Sequence, residues 1–430
     1  MTTSAVPQTS FRRFLFLQGC HGPFFSLLAA RLMADGHSVR RVNFNGGDKQ
    51  DWAHDAAATD YIGTEEDFPA WLERHVADFG ITDIAFYSYW RPVHQAAMHL
   101  AQKKGVRLHG FEEGLLRPNW IMCDPRLPCE QAEDYRARIL RARQQPGWGR
   151  PSLQQARWPK LPFSTPRMLW NCVWHYFGFW RYKRLFRNYR THRTVSVGAE
   201  TMAFLRQSAL YVPRKVQSRL RQRDICRSRK PFYLLCLQLE GDSQIRQYAD
   251  HKTMRAVIED VIAAFARSAP TDCNLVIKAH PLDNGVNNHE KAAQELAAQH
   301  GVADRVVFLW YGKMAPFLRR AKGMITINST TGLSALYHKC PVKTLGRALY
   351  NIPDLADMRD LDDFLANPAP PCLDTWHMLH RMLVETSQID GNYHVPACYP
   401  DLLDTVAERM LPQKDGMRVV PTHESWRMVG

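Results

Sequence analysis

The chain has 430 residues, 45% of them apolar and 23% charged, with 56 Lys+Arg against 42 Asp+Glu and a formal charge of +14. The surplus is local: no acidic residue occurs between Asp134 and Glu200, and Tyr135 to Ala199 holds 14 Lys+Arg. The rest of the chain is balanced, which excludes a uniformly basic, histone-like or ribosomal coat, and the apolar content excludes a disordered chain.

Length predicts two or three domains. The ten cysteines form no C-x-x-C pair, so neither a zinc knuckle nor a thioredoxin-type site is expected. Phe14 to Leu17 is too short for a signal h-region, and no apolar run reaches 18 residues. The expectation is a cytoplasmic protein with reduced thiols, disordered only over Met1 to Ser10 and after Leu411.

In chain order, Phe14 to Leu17 reads as a buried strand, Gly19-Cys-His-Gly-Pro23 as a turn, and Phe24 to Ala34 as a helix. Val39 to Phe44 is a strand, Phe68 to Phe79 a helix, Ile84 to Tyr89 a strand and Pro92 to Lys104 a helix. Val106 to Phe111 is a strand that delivers Glu112-Glu113-Gly114 at its carboxyl end. The acid-free segment interrupts this rhythm.

The alternation restarts with strands at Phe232 to Leu239, Asn274 to Lys278, Val306 to Leu309, Gly323 to Asn328 and Val342 to Leu345. Helices over Lys252 to Ala266, His289 to His300, Lys313 to Ala321 and Leu333 to Lys339 separate them, and an amphipathic helix covers Thr375 to Ser387. The fold class is therefore α/β in two halves. The expected divisions are residues 11–134, a basic Trp-rich segment 135–199, residues 230–370, and a helical segment 371–412.

Ligands of such sheets lie beyond the carboxyl ends of strands, and three polar clusters fall there. In Glu112-Glu113-Gly114, two adjacent carboxylates cannot both be comfortably charged when desolvated, and Gly114 permits a tight turn. The pair reads either as a solvated loop or as a catalytic base or nucleophile. Lys278-Ala-His280-Pro281 presents an imidazole at a strand end, because Pro281 stops further pairing. Ser329-Thr330-Thr331-Gly332 between a strand and a helix either caps that helix or cradles a phosphate.

Gly19, His21, Gly22, Arg117 and Gln238 are candidate cleft-lining residues, as are Glu240, Asp242 and Gln244. The N-terminal turn is neither G-x-G-x-x-G nor a Walker loop, which argues against dinucleotide oxidoreductases and P-loop ATPases. The acids show no metal-ligand spacing, so no metal is expected.

In Arg167 to Arg193, Trp170, Trp174, Phe177 and Trp180 fall at helical spacing, with Arg181, Lys183, Arg184, Arg187, Arg190 and Arg193 after them. Such a segment suits an anionic membrane surface or single-stranded nucleic acid. Alternatively, the aromatic stripe packs on the body. Arg136, Arg138, Arg141 and Arg143 lie on a separate helix-like stretch that adds to the same surface.

Three motifs, Phe111 to Trp120, Lys278 to Pro281 and Asn328 to Gly332, resemble those of the capsular polysaccharide biosynthesis/export family, in its KpsS/LipB group. The opening Phe16 to Phe25 and Ala348 to Pro353 are similar to that group as well. The resemblance implies a GT-B glycosyltransferase with two Rossmann-like domains and an interdomain cleft. It implies transfer of Kdo from CMP-β-Kdo to phosphatidylglycerol or its lyso form, starting the poly-Kdo linker of a capsule. By the same resemblance Glu113 is the lead catalytic carboxylate with Glu112 beside it. His280, Pro281 and Lys278 would bind CMP, and Ser329, Thr330 and Thr331 its phosphate, with no cofactor beyond the donor.

Related modules carry Asp where this chain has Glu113, which moves the carboxylate by about one methylene. A lipid acceptor favours the membrane reading of the basic segment over nucleic acid. It places the protein in the cytoplasm, peripherally on the inner membrane, among other capsule biosynthesis and export proteins. The alternatives are a CMP-sugar transferase that elongates the polysaccharide and a non-catalytic export or scaffold protein.

Overall fold

The computed structural model describes residues 11–126, 131–144, 165–190, 197–239, 253–281, 283 and 285–411. Glu240, Asp242, Gln244, Arg193, both expected disordered ends and parts of the acid-free segment lie outside these residues.

The first half alternates strongly. It runs β1 (Arg13–Phe16), α1 (Phe24–Ala34), β2 (Ser38–Asn43), α2 (Gly46–Gln50), β3 (Ala58–Asp60), α3 (Phe68–Asp78), β4 (Asp83–Tyr87), α4 (Pro92–Lys104), β5 (Arg107–Glu113) and β6 (Trp120–Asp124). α5 (Ala132–Arg143), α6 (Thr165–Arg181) and α7 (Val197–Arg227) follow.

The second half has β7 (Phe232–Cys236), α8 (Met254–Ser268), β8 (Asn274–Lys278), α9 (His289–Gln299), β9 (Val306–Leu309), α10 (Met314–Leu318), β10 (Gly323–Thr326), α11 (Thr331–Tyr337) and β11 (Val342–Thr344). The chain ends with α12 (Leu361–Ala366), α13 (Leu373–Thr386), β12 (Gln388–Asp390) and α14 (Tyr399–Met410).

The α/β class is as the alternation predicts. The five parallel strands of the first sheet lie in the order β3-β2-β1-β4-β5, and the second sheet is β9-β8-β7-β10-β11, the same order repeated. Each sheet therefore reverses direction between its first and fourth strands, β1/β4 and β7/β10. At such a switch point the loops diverge and leave a crevice beyond the carboxyl ends.

The first sheet carries two further strands. β6 pairs antiparallel with β5, and β12 pairs antiparallel with β6. The stretch expected to be purely helical, 371–412, thus contributes a strand to the sheet laid down first. α14 packs on α1, with Arg31 Nε donating to Asp404 Oδ1 at 2.5 Å.

Some boundaries shift for physical reasons. β5 runs on through Glu112 and Glu113 because β6 keeps pairing after β4 has ended, with Glu112 opposite Met122 and Glu113 opposite Ile121. The glutamates are strand residues, which corrects the loop reading. β7 stops at Cys236, short of the expected Leu239, and Gln238 turns away to a partner described below.

The apolar core is built from the alternating inward residues of both sheets, with Trp376, Leu379 and Leu383 of α13 packed with Tyr135 and Ile139 of α5 in the largest cluster. Arg143 bridges from α5 to Asp354 at 2.8 Å and also reaches Thr375. It therefore joins parts of the fold and does not extend the basic surface, as its sequence neighbours suggested.

Candidate active site

Period-two geometry sends adjacent strand side chains to opposite faces of a sheet, so Glu112 and Glu113 meet different surroundings. Glu113 shares its face with Phe111, which packs edge-on against Phe25 at 5.2 Å. Its Oε1 accepts from the Tyr87 hydroxyl at 3.4 Å, and its Oε2 lies 3.6 Å from Arg117 Nη1. Both members of the Glu113–Arg117 pair are open to solvent, so the pair orients more than it stabilises, contributing under about 1 kcal/mol.

Glu112 points toward the loop after β4. It accepts from the Tyr89 backbone N–H and the Ser88 hydroxyl. Ser88 has φ +74, a left-handed conformation that costs a non-glycine residue on the order of 1 kcal/mol. The Ser88 carbonyl accepts from His94 Nδ1 at 2.6 Å, which holds that conformation. Burial, and then the charge of Glu113, push the Glu112 carboxyl up to about 7, while Arg91 opposes the rise. One sequence pair thus yields a carboxyl that titrates near neutrality and a second, exposed carboxylate, the kind of division that separates acid–base roles.

The motif is fixed from below. A Cβ on Gly114 would collide with the Trp120 carbonyl, to which the Gly114 N–H donates at 2.9 Å. Gln388 Oε1 of β12 accepts from the Leu115 N–H at 2.7 Å. The buried Tyr393 hydroxyl donates to the Glu112 carbonyl at 2.9 Å.

The turn after β1 lies on Glu113's side: the buried Cys20 thiol is pushed up by desolvation, then by the charges of Glu113 and Asp51. His21 stacks on His175 of α6 at 4.1 Å, and His175 Nδ1 lies 2.7 Å from Asp51 Oδ2. Gly22 has φ +108, and a Cβ there would strike the amide of Asn171. Asn171 Nδ2 lies 3.2 Å from His394 Nδ1. Burial holds His394 below the ordinary imidazole range, and the charge of Glu113 partly opposes this.

Tyr87, Ser88, Asn171 and His394 were absent from the sequence candidates. His394, a lone polar ring between apolar neighbours, was the one with a visible signal.

In the second half, Gln238 and Asn328 form a reciprocal pair. Gln238 Nε2 donates to Asn328 Oδ1 at 2.9 Å, and the Asn328 N–H donates to Gln238 Oε1 at 3.1 Å. Gln238, expected on a cleft wall, is instead a buried brace between the loops after β7 and β10.

The hydroxyl cluster beyond it is self-connected: Thr331 Oγ1 donates to Ser329 Oγ at 2.9 Å, and the Thr331 N–H donates to the same oxygen at 3.2 Å. Thr330 precedes α11 but makes no side-chain cap; Ser329 is the hydroxyl that meets the first N–H of the helix. Tyr350 donates to the Ser329 carbonyl at 2.6 Å and fills the space a Cβ on Gly332 would need. This joins two motifs through residues 21 apart in the chain.

Lys278 closes β8, buried, with Nζ donating to the Ala279 carbonyl at 3.2 Å and its pKa lowered by burial. His280 is half-buried and Pro281 exposed at the same strand end. Among the described residues, no three of His, Cys, Asp and Glu gather to hold a metal ion.

Two sheets of the same Rossmann-like strand order, each with polar residues at the carboxyl ends of its strands, define a tandem α/β protein. The chain belongs to the capsule polysaccharide biosynthesis protein family, whose model matches residues 82–126 and 174–394. It is 32% identical over 400 residues to the capsule polysaccharide export protein KpsS of Escherichia coli, covering 90% of this chain and 97% of that one. It is 30% identical over 406 residues to the capsule polysaccharide modification protein LipB of Neisseria meningitidis serogroup B, covering 91% and 94%. Among solved structures, the β-Kdo 2,7-transferase KpsC of Thermosulfurimonas dismutans is similar at 12% identity and a TM-score of 0.43, over 91% of this chain and 99% of that chain.

Proposed function

We propose that the chain is a GT-B glycosyltransferase that moves Kdo from CMP-β-Kdo to phosphatidylglycerol or its lyso form, priming the poly-Kdo linker of a capsule. The observation that carries the reading is the split environment of Glu112 and Glu113 at the carboxyl end of β5, in a chain of this family.

In this reading Glu113, steered by Tyr87 and Arg117, attacks the anomeric carbon of Kdo. The bond from that carbon to the phosphate oxygen of CMP breaks, and CMP leaves as its anion. The acceptor hydroxyl then displaces Glu113, giving a β product from a β donor, and its proton passes to a base. Glu112, titrating near 7, is a neighbouring group able to carry a proton at working pH. His280 and Pro281, with Lys278 behind them, hold CMP. Ser329, Thr330 and Thr331 donate to the phosphate as negative charge develops on it. No metal or other cofactor is invoked. The protein works in the cytoplasm at the inner membrane, beside other capsule biosynthesis and export proteins.

The test is to incubate purified protein with CMP-Kdo, generated in situ, and a fluorescent phosphatidylglycerol. A Kdo-lipid product detected by mass spectrometry is expected, and none would refute priming. Transfer only to a Kdo-terminated oligosaccharide would select elongation. No transfer to either would leave an export or scaffold role.

A further inference from the structure

Helix α6 has two distinct faces. Asn171, His175 and Gly178 point into the fold, and the last of these meets α2 backbone to backbone, since a Cβ on Gly46 would collide with the Gly178 carbonyl. This contact and the His175–Asp51 pair fix the helix about its own axis. The opposite face carries Trp170, Trp174, Phe177 and Trp180, exposed by 58%, 43%, 44% and 72%. Their rings form a continuous ridge, the first two pairs stacked and the last tilted, with successive centroids 6.5, 6.0 and 6.1 Å apart. Among the described residues the aromatic stripe therefore faces outward and does not pack on the body.

Arg181, Lys183, Arg184, Arg187 and Arg190 follow the ridge, all exposed. No acid lies between Asp134 and Glu200 in the sequence.

We propose that this outer face of α6 docks on an anionic bilayer, with the rings at the boundary between headgroups and acyl chains and the basic groups against lipid phosphates. The proposal rests on the reading above, in which the acceptor is a lipid. Three features favour a bilayer. Leu169 and Val173, also exposed, extend the ridge with aliphatic surface that offers nothing to a nucleobase. The exposed rings, Trp170 to Trp180, precede the exposed cations Arg181 to Arg190, and the rings among those cations, Tyr182, Phe186 and Tyr189, are half-buried or buried and so not open to stack on bases. Tryptophan beside Arg and Lys is the composition that settles at a membrane interface.

The inner face of the same helix, through Asn171, borders the Gly22 turn and His394 near Glu113. Docking would therefore hold the carboxylate site about one helix diameter, ~10 Å, from the leaflet that holds the acceptor.

The full-length protein is sedimented with phosphatidylcholine vesicles, with and without phosphatidylglycerol, at low and high salt. Binding is expected only with phosphatidylglycerol and should weaken with salt. Each basic group near such a surface contributes about fivefold to partitioning, so R184A/R187A/R190A should lose on the order of a hundredfold. W170S/W174S/W180S should lose binding at all salt concentrations while keeping its circular dichroism and its affinity for CMP.

Wild-type protein that stays in the supernatant, or variants that pellet like wild type, overturn the proposal. So does a dimer by light scattering that the Trp variant converts to monomer, which would make the ridge a self-interface. So does a single-stranded oligonucleotide that binds and depends on the same residues while vesicles do not. Vesicle binding without Kdo transfer would leave docking intact and remove the priming reading. Transfer to a soluble short-chain acceptor without vesicle binding would do the reverse.

Discussion

Asn171 on α6 and His394 on the loop after β12 are joined side chain to side chain, Nδ2 to Nδ1, at 3.2 Å. The amide N–H can only donate, so Nδ1 of His394 accepts and is unprotonated, in keeping with its lowered pKa. A histidine lowered in the fold binds its proton more readily when unfolded. Its contribution to stability is therefore present above about pH 6.5 and is lost as pH falls from there through the lower value it has in the fold. Asn171→Asp is expected to place a carboxylate against the ring and raise its pKa, reversing that dependence. Histidine NMR titration, with thermal melts between pH 5 and 8, checks both.

Glu113→Gln should lower kcat on the order of a hundredfold or more, the range for losing a positioned carboxylate, with CMP affinity unchanged by calorimetry. Retention of full activity would remove Glu113 from the chemistry.

Glu112→Gln has a thermodynamic signature as well. With the folded carboxyl raised from 4.5 to about 7, the folded protein holds a proton that the unfolded chain has released over that window. Stability therefore falls as pH rises between those values, by at most about 3 kcal/mol. The Gln variant keeps the acceptor for Tyr89 and Ser88 but cannot ionise. It should match wild type below pH 4.5 and melt higher above pH 7.

The Gln238–Asn328 brace predicts a cost outside the reacting groups. Gln238→Ala removes both of these hydrogen bonds to the buried Asn328, destabilising by about 1–3 kcal/mol. Because the freed loop leads into Ser329 and Thr331, CMP binding should weaken too. Tyr350→Phe, which releases the Ser329 carbonyl, should show the same pattern with a smaller cost of about 1 kcal/mol.

Much of the frame was legible because it is local. α4, β8 and β9 fall at the expected residues: α4 opens on Pro92 and closes at Gly105, and the two strands are short, mainly apolar runs. β6 and β12 were not legible. β12 has three residues, Gln388–Asp390, and becomes a strand only because Trp120–Met122 offers it an edge. The carboxylate motif was readable as a motif, but its division of labour was not. That division depends on Ser88 adopting a left-handed conformation and on β6 extending the strand through both glutamates. Asn171 and His394 are 223 residues apart, and only the folded chain brings them together. The outward aromatic ridge turned on a similar detail, since Gly46 and Gly178 decide which side of α6 faces in.

The pairing of β12 with β6 also sets a timetable. A ribosome exposes β1 through β6 long before it reaches Gln388, so the newly made first sheet waits with an unpaired edge. The Leu115 N–H and the Glu112 carbonyl wait with it, for Gln388 and Tyr393. The carboxylate site is therefore finished only when the end of the chain returns to its beginning. A chain cut short before that return would carry every residue of the Glu112-Glu113-Gly114 motif and still lack the surroundings that distinguish its two acids.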